Sequence, residues 1–121
     1  MQTFKEVEGV VQQGTKRAVA LGFPTINIPF ASSEASGVYA ACVRLENTKH
    51  VAAAFADPER GVLEAHLLDL PTQELYGKKV VIELHEKIRD SARFDSDEKL
   101  HAAIANDVNR VRDYFKQRTQ P

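Results

Sequence analysis

The chain has 121 residues, of which 43% are hydrophobic, 27% charged and 7% aromatic. A chain of this length buries roughly two-thirds of its unfolded surface, which is enough for one hydrophobic core, so we expect a single domain over residues 1–121. Sixteen Lys and Arg against seventeen Asp and Glu give a formal net charge of −1. The chain therefore lacks the basic character that binding to nucleic-acid phosphates requires.

The sequence carries no membrane or export signal that we can identify. Its longest mostly apolar stretches, such as residues 51–56, are too short for a membrane span, and the N-terminus lacks the charged-then-apolar order of a signal peptide. We therefore expect a cytoplasmic protein with no membrane partner. The single cysteine, Cys42, excludes an intrachain disulfide and a zinc site of several thiolates, and is typical of a small buried strand residue.

Residues 9–16 have the two glycines of a Walker A loop but end in Thr15-Lys16, where that motif requires Lys followed by Ser or Thr. The context also differs, because residues 20–24 follow in place of the helix whose N-terminus would hold phosphate. A glycine turn after a strand can still present backbone N–H groups to phosphate in a different fold. The alternative is an ordinary turn.

Residues 21–29 read Leu-Gly-Phe-Pro-Thr-Ile-Asn-Ile-Pro, which is unusual for a strand because prolines lack a backbone donor and Gly22 permits unusual dihedral angles. Extended backbone places Thr25 and Asn27 on one side and the isoleucines on the other. A hydroxyl and an amide oxygen side by side are hard ligands that suit Mg²⁺ held jointly with substrate phosphates. The alternative is a turn satisfied by its own Thr and Asn side chains.

The middle of the chain predicts strands separated by turns. Residues 37–45 and 50–55 flank the polar link 46–49 and predict a hairpin, residues 62–68 predict a third strand, and the alternation over 79–89 predicts a half-buried strand. The connections are too short for crossover helices, so the sheet is expected to be largely antiparallel. About six such strands with one helix favour a small closed barrel, which leaves no exposed edge.

Glu64 shares one face of its predicted strand with apolar residues, where a carboxylate is costly unless it is paired or used. It is the best candidate for a general base that takes the proton of a substrate hydroxyl. A salt-bridged strand residue is the alternative. We expect His66 on the same face to be packed or hydrogen-bonded, and His50, His85 and His101 have no zinc-ligand spacing.

A late helix is predicted from about residue 96 to 115. It is expected to start where the Asp95 side chain can act as the N-cap and the Glu98 side chain, three residues later, can hydrogen-bond back to the cap. Its apolar residues recur at spacings of four or three and form one stripe for packing on the barrel: Leu100, Ile104, Val108, Val111 and Phe115. Asp107 lies within this stripe and must find a hydrogen-bond partner at the seam between helix and barrel. Residues 116–121 are expected to form a polar tail.

Six segments in fixed order carry a more specific signal: residues 9–14, 21–27, 37–39, 63–69, 75–78 and 88–96. Together they resemble the riboflavin kinase family over nearly the whole chain, most specifically in the Phe-Pro-Thr-x-Asn segment and the Leu-Glu-x-His block. The resemblance implies a six-stranded antiparallel Greek-key barrel with a C-terminal α-helix. It also implies an enzyme that uses ATP and Mg²⁺ to phosphorylate the ribityl 5′-hydroxyl of riboflavin, giving FMN. We expect the protein to be a monomer.

The same resemblance implies roles for individual residues. Glu64 falls on the family's catalytic base, and Thr25 and Asn27 fall on its metal and phosphate ligands. The remaining expectations are nucleotide binding by Gly14, Lys16, Gly22, Pro24 and Thr25, and flavin binding by Arg89, Asp90 and Phe94.

The sequence departs from the family pattern in two places. Ala18 and Val19 stand where a Gly-Arg pair is usual, which removes a hinge and a cation from the nucleotide loop, and Phe55 and Ala56 stand where Gly-Thr is usual. The alternative prediction is therefore a kinase-like barrel that binds flavin or nucleotide without turnover. The sequence also lacks the adenylyltransferase domain of bifunctional members, so FAD synthesis is not predicted.

Overall fold

A computed structural model of the chain describes residues 5–12, 20–31, 35–69 and 75–119. These residues form six strands and one helix, and the predicted strands over 37–45 and 79–89 have the bounds expected. The elements in chain order are β1 Lys5–Val10, β2 Ile26–Pro29, β3 Gly37–Leu45, β4 Thr48–Asp57, β5 Val62–Leu67, β6 Lys79–Arg89 and α1 Asp97–Thr119.

The strands form one antiparallel sheet in the order β1-β6-β3-β4-β5-β2. Strands β3, β4 and β5 follow one another as neighbours, and β6 returns to lie beside β3, which is a Greek key. A bridge between Gln12 and Asn27 brings the two edges of the sheet together. The predicted Greek-key barrel with a C-terminal helix is confirmed, with the barrel nearly closed.

The closure of the barrel depends on a close approach of β1 and β2. A Cβ atom on Gly9 would lie 2.9 Å from the Cβ atom of Ile28, which is fully buried. Only a residue without a side chain lets the two strands come this near. The barrel interior that they enclose is aliphatic, with alanines on β4 and β5 at Ala52, Ala54, Ala56 and Ala65.

The β3–β4 hairpin is tighter than predicted. Its link is reduced to Glu46 and Asn47, because Thr48 and Lys49 already pair with the end of β3. Strand β4 also continues to Asp57, two residues past the predicted end at 55. Backbone pairing with β3 and β5 extends this strand at both ends.

Helix α1 starts at Asp97, and its N-cap is Ser96, whose hydroxyl oxygen accepts the backbone N–H of Lys99 at 3.1 Å. Asp95 does not cap the helix; its carboxylate pairs with the Lys99 ammonium at 3.1 Å. The helix continues to Thr119, so residues 116–119 belong to it and not to a polar tail. In its last turn, the Arg118 guanidinium stacks on the Tyr114 ring, 3.8 Å from the ring centre.

No helix in the described part of the chain is both long and apolar enough to cross a membrane.

Two contacts dock α1 onto the sheet. Val111 and Tyr114 are buried against Val38 and neighbouring side chains of β3 and β6. Asp107, which is 3% exposed, accepts hydrogen bonds from Nε and one terminal nitrogen of Arg89, both at 2.8 Å. The partner that the sequence required for Asp107 is therefore the last residue of β6.

We expect Asp107→Asn to lower the free energy of unfolding by about 3 kcal/mol, because Arg89 then faces a neutral side chain in a partly buried position. Urea denaturation followed by circular dichroism measures this loss. Asp113→Asn, on the exposed side of the same helix, is the matched control and should change stability by less than about 0.5 kcal/mol. Equal losses in the two variants would show that the Arg89 pair does not hold the helix.

Candidate functional site

A cavity of about 650 Å³ lies on the outside of the barrel, between the sheet and α1. Polar groups and a mostly apolar wall meet in it, as is usual for small-molecule sites. The polar and charged side chains in its lining include Thr25, Arg60, Glu64, His66, Arg89 and Asp107. The apolar ones include Phe23, Val38, Phe55, Phe94, Leu100 and Ile104.

Strand register explains why residues far apart in sequence meet here. Asn27 on β2 pairs with Glu64 on β5, Glu64 with Phe55 on β4, Phe55 with Val38 on β3, and Val38 with Arg89 on β6. Directly paired residues of antiparallel strands point to the same face. One row of side chains thus crosses the sheet, and its members from Glu64 to Arg89 form the floor of the site.

The Glu64 side chain is 13% exposed, and its Oε2 accepts a hydrogen bond from Arg60 at 3.0 Å. Arg60 lies in the turn between β4 and β5, where its Nε donates to Asp57 Oδ2 at 2.6 Å. The sequence left two interpretations of Glu64, a general base and a salt-bridged strand residue. The structure shows the ion pair with Arg60 and places the carboxylate in the cavity, while the role of base stays a prediction.

Asp57 holds the Arg60 side chain in place. Burial opposes ionisation of Asp57, but hydrogen bonds and the positive charge from Arg60 hold the pKa of this carboxyl below its usual value. Hydrogen bonding to Asp57 raises the pKa of Arg60. The pair is therefore fully charged at neutral pH and is lost only when acid protonates Asp57, below the ordinary aspartate range.

Sequence reasoning missed Arg60. Residues 57–61 read as a solvated Asp-Pro-Glu-Arg-Gly turn, and nothing local shows that the turn folds back over the neighbouring strand. The available signal was the spacing of Arg60, three residues after Asp57 and four before Glu64. A turn closed by Gly61 at φ 67° converts this spacing into contact with both carboxylates.

The segment before β2 is fixed by His66. Its Nδ1–H donates to the carbonyl oxygen of Pro24 at 2.7 Å, and its ring meets that of Phe23 edge to face at 5.5 Å. The prediction of a hydrogen-bonded His66 is confirmed. Gly22 allows the preceding bend with φ 93°.

The segment presents Thr25 to the cavity. Among the described residues no hydrogen-bond partner exists for the buried Thr25 Oγ1, and such an atom is costly unless a ligand satisfies it. Asn27 is 4% exposed and sits beside Glu64 on the next strand, outside the immediate lining. Thr25 therefore shares the cavity with the predicted base, and Asn27 pairs with that residue on the next strand.

The predicted flavin-binding residues divide into two groups. Arg89 and Phe94 line the cavity, with the Arg89 guanidinium 5.5 Å from the Phe94 ring centre. Asp90 does not line it; its carboxylate is 88% exposed and pairs with Lys87 at 2.6 Å. The hydrogen bond from Lys87 lowers the pKa of Asp90.

Gly14 and Lys16, and the departures at Ala18 and Val19, lie outside the described residues. The other departure can be located. Phe55 lines the cavity next to Glu64, whereas Ala56 is fully buried in the barrel interior. Of this pair, only Phe55 alters the wall of the site.

The end of β6 reaches the site because β3 starts with a glycine. Gly37 has φ 99°, and a Cβ atom there would lie 2.5 Å from the Arg89 carbonyl oxygen. That distance is far below any normal contact. The missing side chain at Gly37 therefore sets the position of Arg89.

Comparison with known proteins agrees with this geometry. A family model named Flavokinase, described as riboflavin kinase, matches residues 2–115. The chain belongs to the riboflavin kinase family. The resemblance carried by the sequence motifs is thereby confirmed.

This chain is similar to one region of longer proteins. It is 36% identical over 118 residues to the bifunctional riboflavin kinase/FMN adenylyltransferase of Escherichia coli K12, covering 90% of this chain and 37% of that protein. For the protein of the same description from Haemophilus influenzae the identity is 34% over 116 residues, with coverages of 88% and 37%. The chain thus spans less than half the length of these relatives.

A solved structure shares the fold. A chain described as a macrolide-efflux protein from Streptococcus pneumoniae superimposes with a TM-score of 0.75 and 28% identity. The match covers 88% of this riboflavin kinase family chain and 38% of that chain.

We expect Gly37→Ala to destabilise the fold more than Gly77→Ala. Both positions have positive φ, but a Cβ atom at Gly77 meets nothing within 4 Å, so that variant shows the backbone cost alone, about 1–2 kcal/mol. The clash with the Arg89 carbonyl should add about 1–3 kcal/mol at Gly37. Urea unfolding of both variants measures the difference, and equal losses would contradict the close approach.

Proposed function

We propose that this protein transfers the terminal phosphoryl group of ATP to the ribityl 5′-hydroxyl of riboflavin, giving FMN and ADP. The observation that carries the proposal is that Glu64 and Thr25 line one cavity with an aromatic and aliphatic wall. Membership in the riboflavin kinase family supports the choice of substrates. A monomeric, cytoplasmic protein stays the expectation from sequence.

Thr25 and Asn27 are the residues that would hold Mg²⁺. The fit rests on the buried Thr25 hydroxyl oxygen, which finds no partner among the described residues, and on the amide of Asn27 beside Glu64. Both are hard oxygen donors of the kind that Mg²⁺ prefers. Bound with ATP, the ion supplies charge neutralisation at the phosphates.

Glu64 is the proposed base. Its Oε2 accepts from Arg60, so Oε1 is the oxygen to which a substrate hydroxyl donates. A base must lie about 2.6–3.2 Å from the proton-bearing oxygen. Because the Glu64 side chain is only 13% exposed, little water competes with the substrate hydroxyl for its carboxylate. Proton removal makes the 5′-oxygen a better nucleophile toward the phosphorus atom.

Phe94 and the facing side chains of α1, Leu100 and Ile104, form the proposed flavin wall. A planar three-ring system stacks favourably on an aromatic ring and buries apolar surface against aliphatic residues. Arg89 supports Phe94 from below, because its guanidinium is held by Asp107. Arg89 is thus a positioning residue in this proposal.

Arg60 is the proposed phosphate-binding cation. It lines the cavity, and Asp57 holds its Nε end while a terminal nitrogen reaches Glu64. An arginine held this way offers a planar donor group to a phosphate oxygen at little entropic cost.

A binding protein without turnover is the second candidate. Two observations favour it: Arg60 already occupies one oxygen of Glu64, and the Phe55 ring stands beside that carboxylate where the family usually has glycine. In this candidate the cavity takes up flavin while Glu64 never reaches the hydroxyl. Flavin fluorescence quenching without FMN formation would identify it.

We expect Glu64→Gln to lower kcat for FMN formation by about 10²- to 10⁴-fold while leaving riboflavin binding unchanged, because the amide cannot take a proton. Chromatographic quantification of FMN with ATP and Mg²⁺ gives the rate, and fluorescence quenching gives the binding. Glu59→Gln, in the exposed turn, is the control and should behave as wild type. A Glu64→Gln variant at the wild-type rate would exclude this residue as base.

We expect Arg60→Gln to raise the KM for ATP by at least about tenfold with a smaller change in kcat, since a hydrogen bond to a charged group contributes about 1.5–3 kcal/mol. Arg60→Lys should recover part of the loss because it keeps the charge without the planar geometry. Arg112→Gln on the exposed face of α1 is the control. An unchanged KM for ATP would show that Arg60 only neutralises Glu64 and Asp57.

A further inference from the structure

We propose that Cys42, Glu83 and His85 form a zinc site on the outer face of the sheet, separate from the catalytic cavity. One ligand atom from each lies within 4.8 Å of the other two. None of the three lines the cavity. The proposal does not depend on the kinase activity.

Strand register creates this cluster. Cys42 on β3 pairs directly with Glu83 on β6, so both side chains point to the same face. His85 is two residues beyond Glu83 on β6 and shares that face, while Ile82 and Leu84 point into the barrel. The donors therefore sit on two rigid neighbouring strands.

The distance between two of the donor atoms suits a tetrahedral ion. Glu83 Oε1 and His85 Nε2 are 3.4 Å apart. Zinc–oxygen and zinc–nitrogen bonds of about 2.0–2.1 Å place two tetrahedral ligands about 3.3–3.4 Å apart. A good hydrogen bond would be shorter, about 2.7–3.2 Å.

Neighbouring groups orient the ligands. Glu83 Oε2 forms ion pairs with Arg44 Nε at 3.2 Å and with Lys49 Nζ at 3.4 Å, although Arg44 Nε makes no hydrogen bond among the described residues. Glu83 Oε1 lies on the side of His85. The other ring nitrogen of His85, Nδ1, lies 3.4 Å from the hydroxyl oxygen of Tyr114 on α1. Such outer contacts are typical of zinc ligands and fix the ring orientation.

The donor set selects the metal. A thiolate with an imidazole and a carboxylate suits zinc, whereas Mg²⁺ and Ca²⁺ prefer oxygen donors alone. Three protein ligands leave the fourth position to water. The positive charges of Arg44 and Lys49 are balanced by Glu83 and by Glu6, which lies 3.2 Å from Arg44.

Binding must displace the thiol proton. Burial, together with the charge of Glu83, raises the pKa of Cys42, so the thiol is protonated at neutral pH. The sulfur–zinc bond forms as the sulfur–hydrogen bond breaks, and the proton goes to solvent, with no change in oxidation state.

The test is a Co²⁺ titration of the full chain after chelator treatment, followed by displacement with Zn²⁺. We expect one ion per chain, with a thiolate-to-cobalt charge-transfer absorption that zinc abolishes. The absorption should disappear in Cys42→Ser, and His85→Gln should bind at least about tenfold more weakly. His50→Gln is the control, because His50 lies on β4 and pairs with Asp69.

Three results would overturn the proposal: no saturable metal binding by the wild type, wild-type affinity in His85→Gln, or a cobalt spectrum unchanged by Cys42→Ser. His85 is partly exposed, so its variant keeps the test decisive if Cys42→Ser fails to fold. Circular dichroism of each variant verifies folding. The readout is metal binding, so a failed kinase assay leaves this result intact.

Discussion

The two hydrogen bonds from Arg89 to Asp107 join the last strand to the helix, and both residues line the cavity between the sheet and α1. A buried carboxylate without a partner is costly, so the pair also sets the rotation of α1 about its axis. Ile104 and Leu100 lie three and seven residues before Asp107, and this rotation turns them toward the sheet. The helix wall of the site follows from one ion pair.

Because Arg89 is paired with Asp107, Arg89 and Arg60 have different roles in the cavity. Arg89 is paired with Asp107 and lies over the Phe94 ring, so in the proposed function its charge would support the flavin wall. Arg60 is anchored at the turn by Asp57 and lies beside the proposed base. We infer that phosphate chemistry falls to the arginine in the turn and ring binding to the one on the strand.

The candidate site lies on the outer face of the sheet because side chains fill the interior of the barrel. Small alanines on β4 and β5 allow the bulkier Ile26, Ile28 and Ile82 to fill the barrel, and barrels of this size have room only for side chains. The cavity and the proposed zinc cluster therefore both use outward-facing residues. The cavity uses Val38 and Arg89 at one end of the β3–β6 pair, whereas the cluster uses Cys42, Glu83 and His85 farther along it, so the two sites are separate.

Much of this could be predicted because the relevant signals are local. The alternation over Lys79–Arg89 predicted a half-buried strand, and the helical stripe around Asp107 predicted a polar partner at the seam; both are observed. The order of short motifs indicated the riboflavin kinase family, which the family model confirms. The C-terminal end of the helix was predicted less accurately, because the polar residues 116–119 add nothing to the apolar stripe although α1 continues through them to Thr119.

By itself, the sequence determined four of the six strands, the helix, the family and the residue types suited to phosphoryl transfer. The tertiary structure decided which of them meet: Asn27 beside Glu64, Arg60 on that carboxylate, and Cys42 facing Glu83 and His85. The alternation of residues along one strand shows which face a side chain occupies, but it does not show which strand lies beside it. Those neighbours depend on the register between distant strands, which forms only when the whole barrel packs.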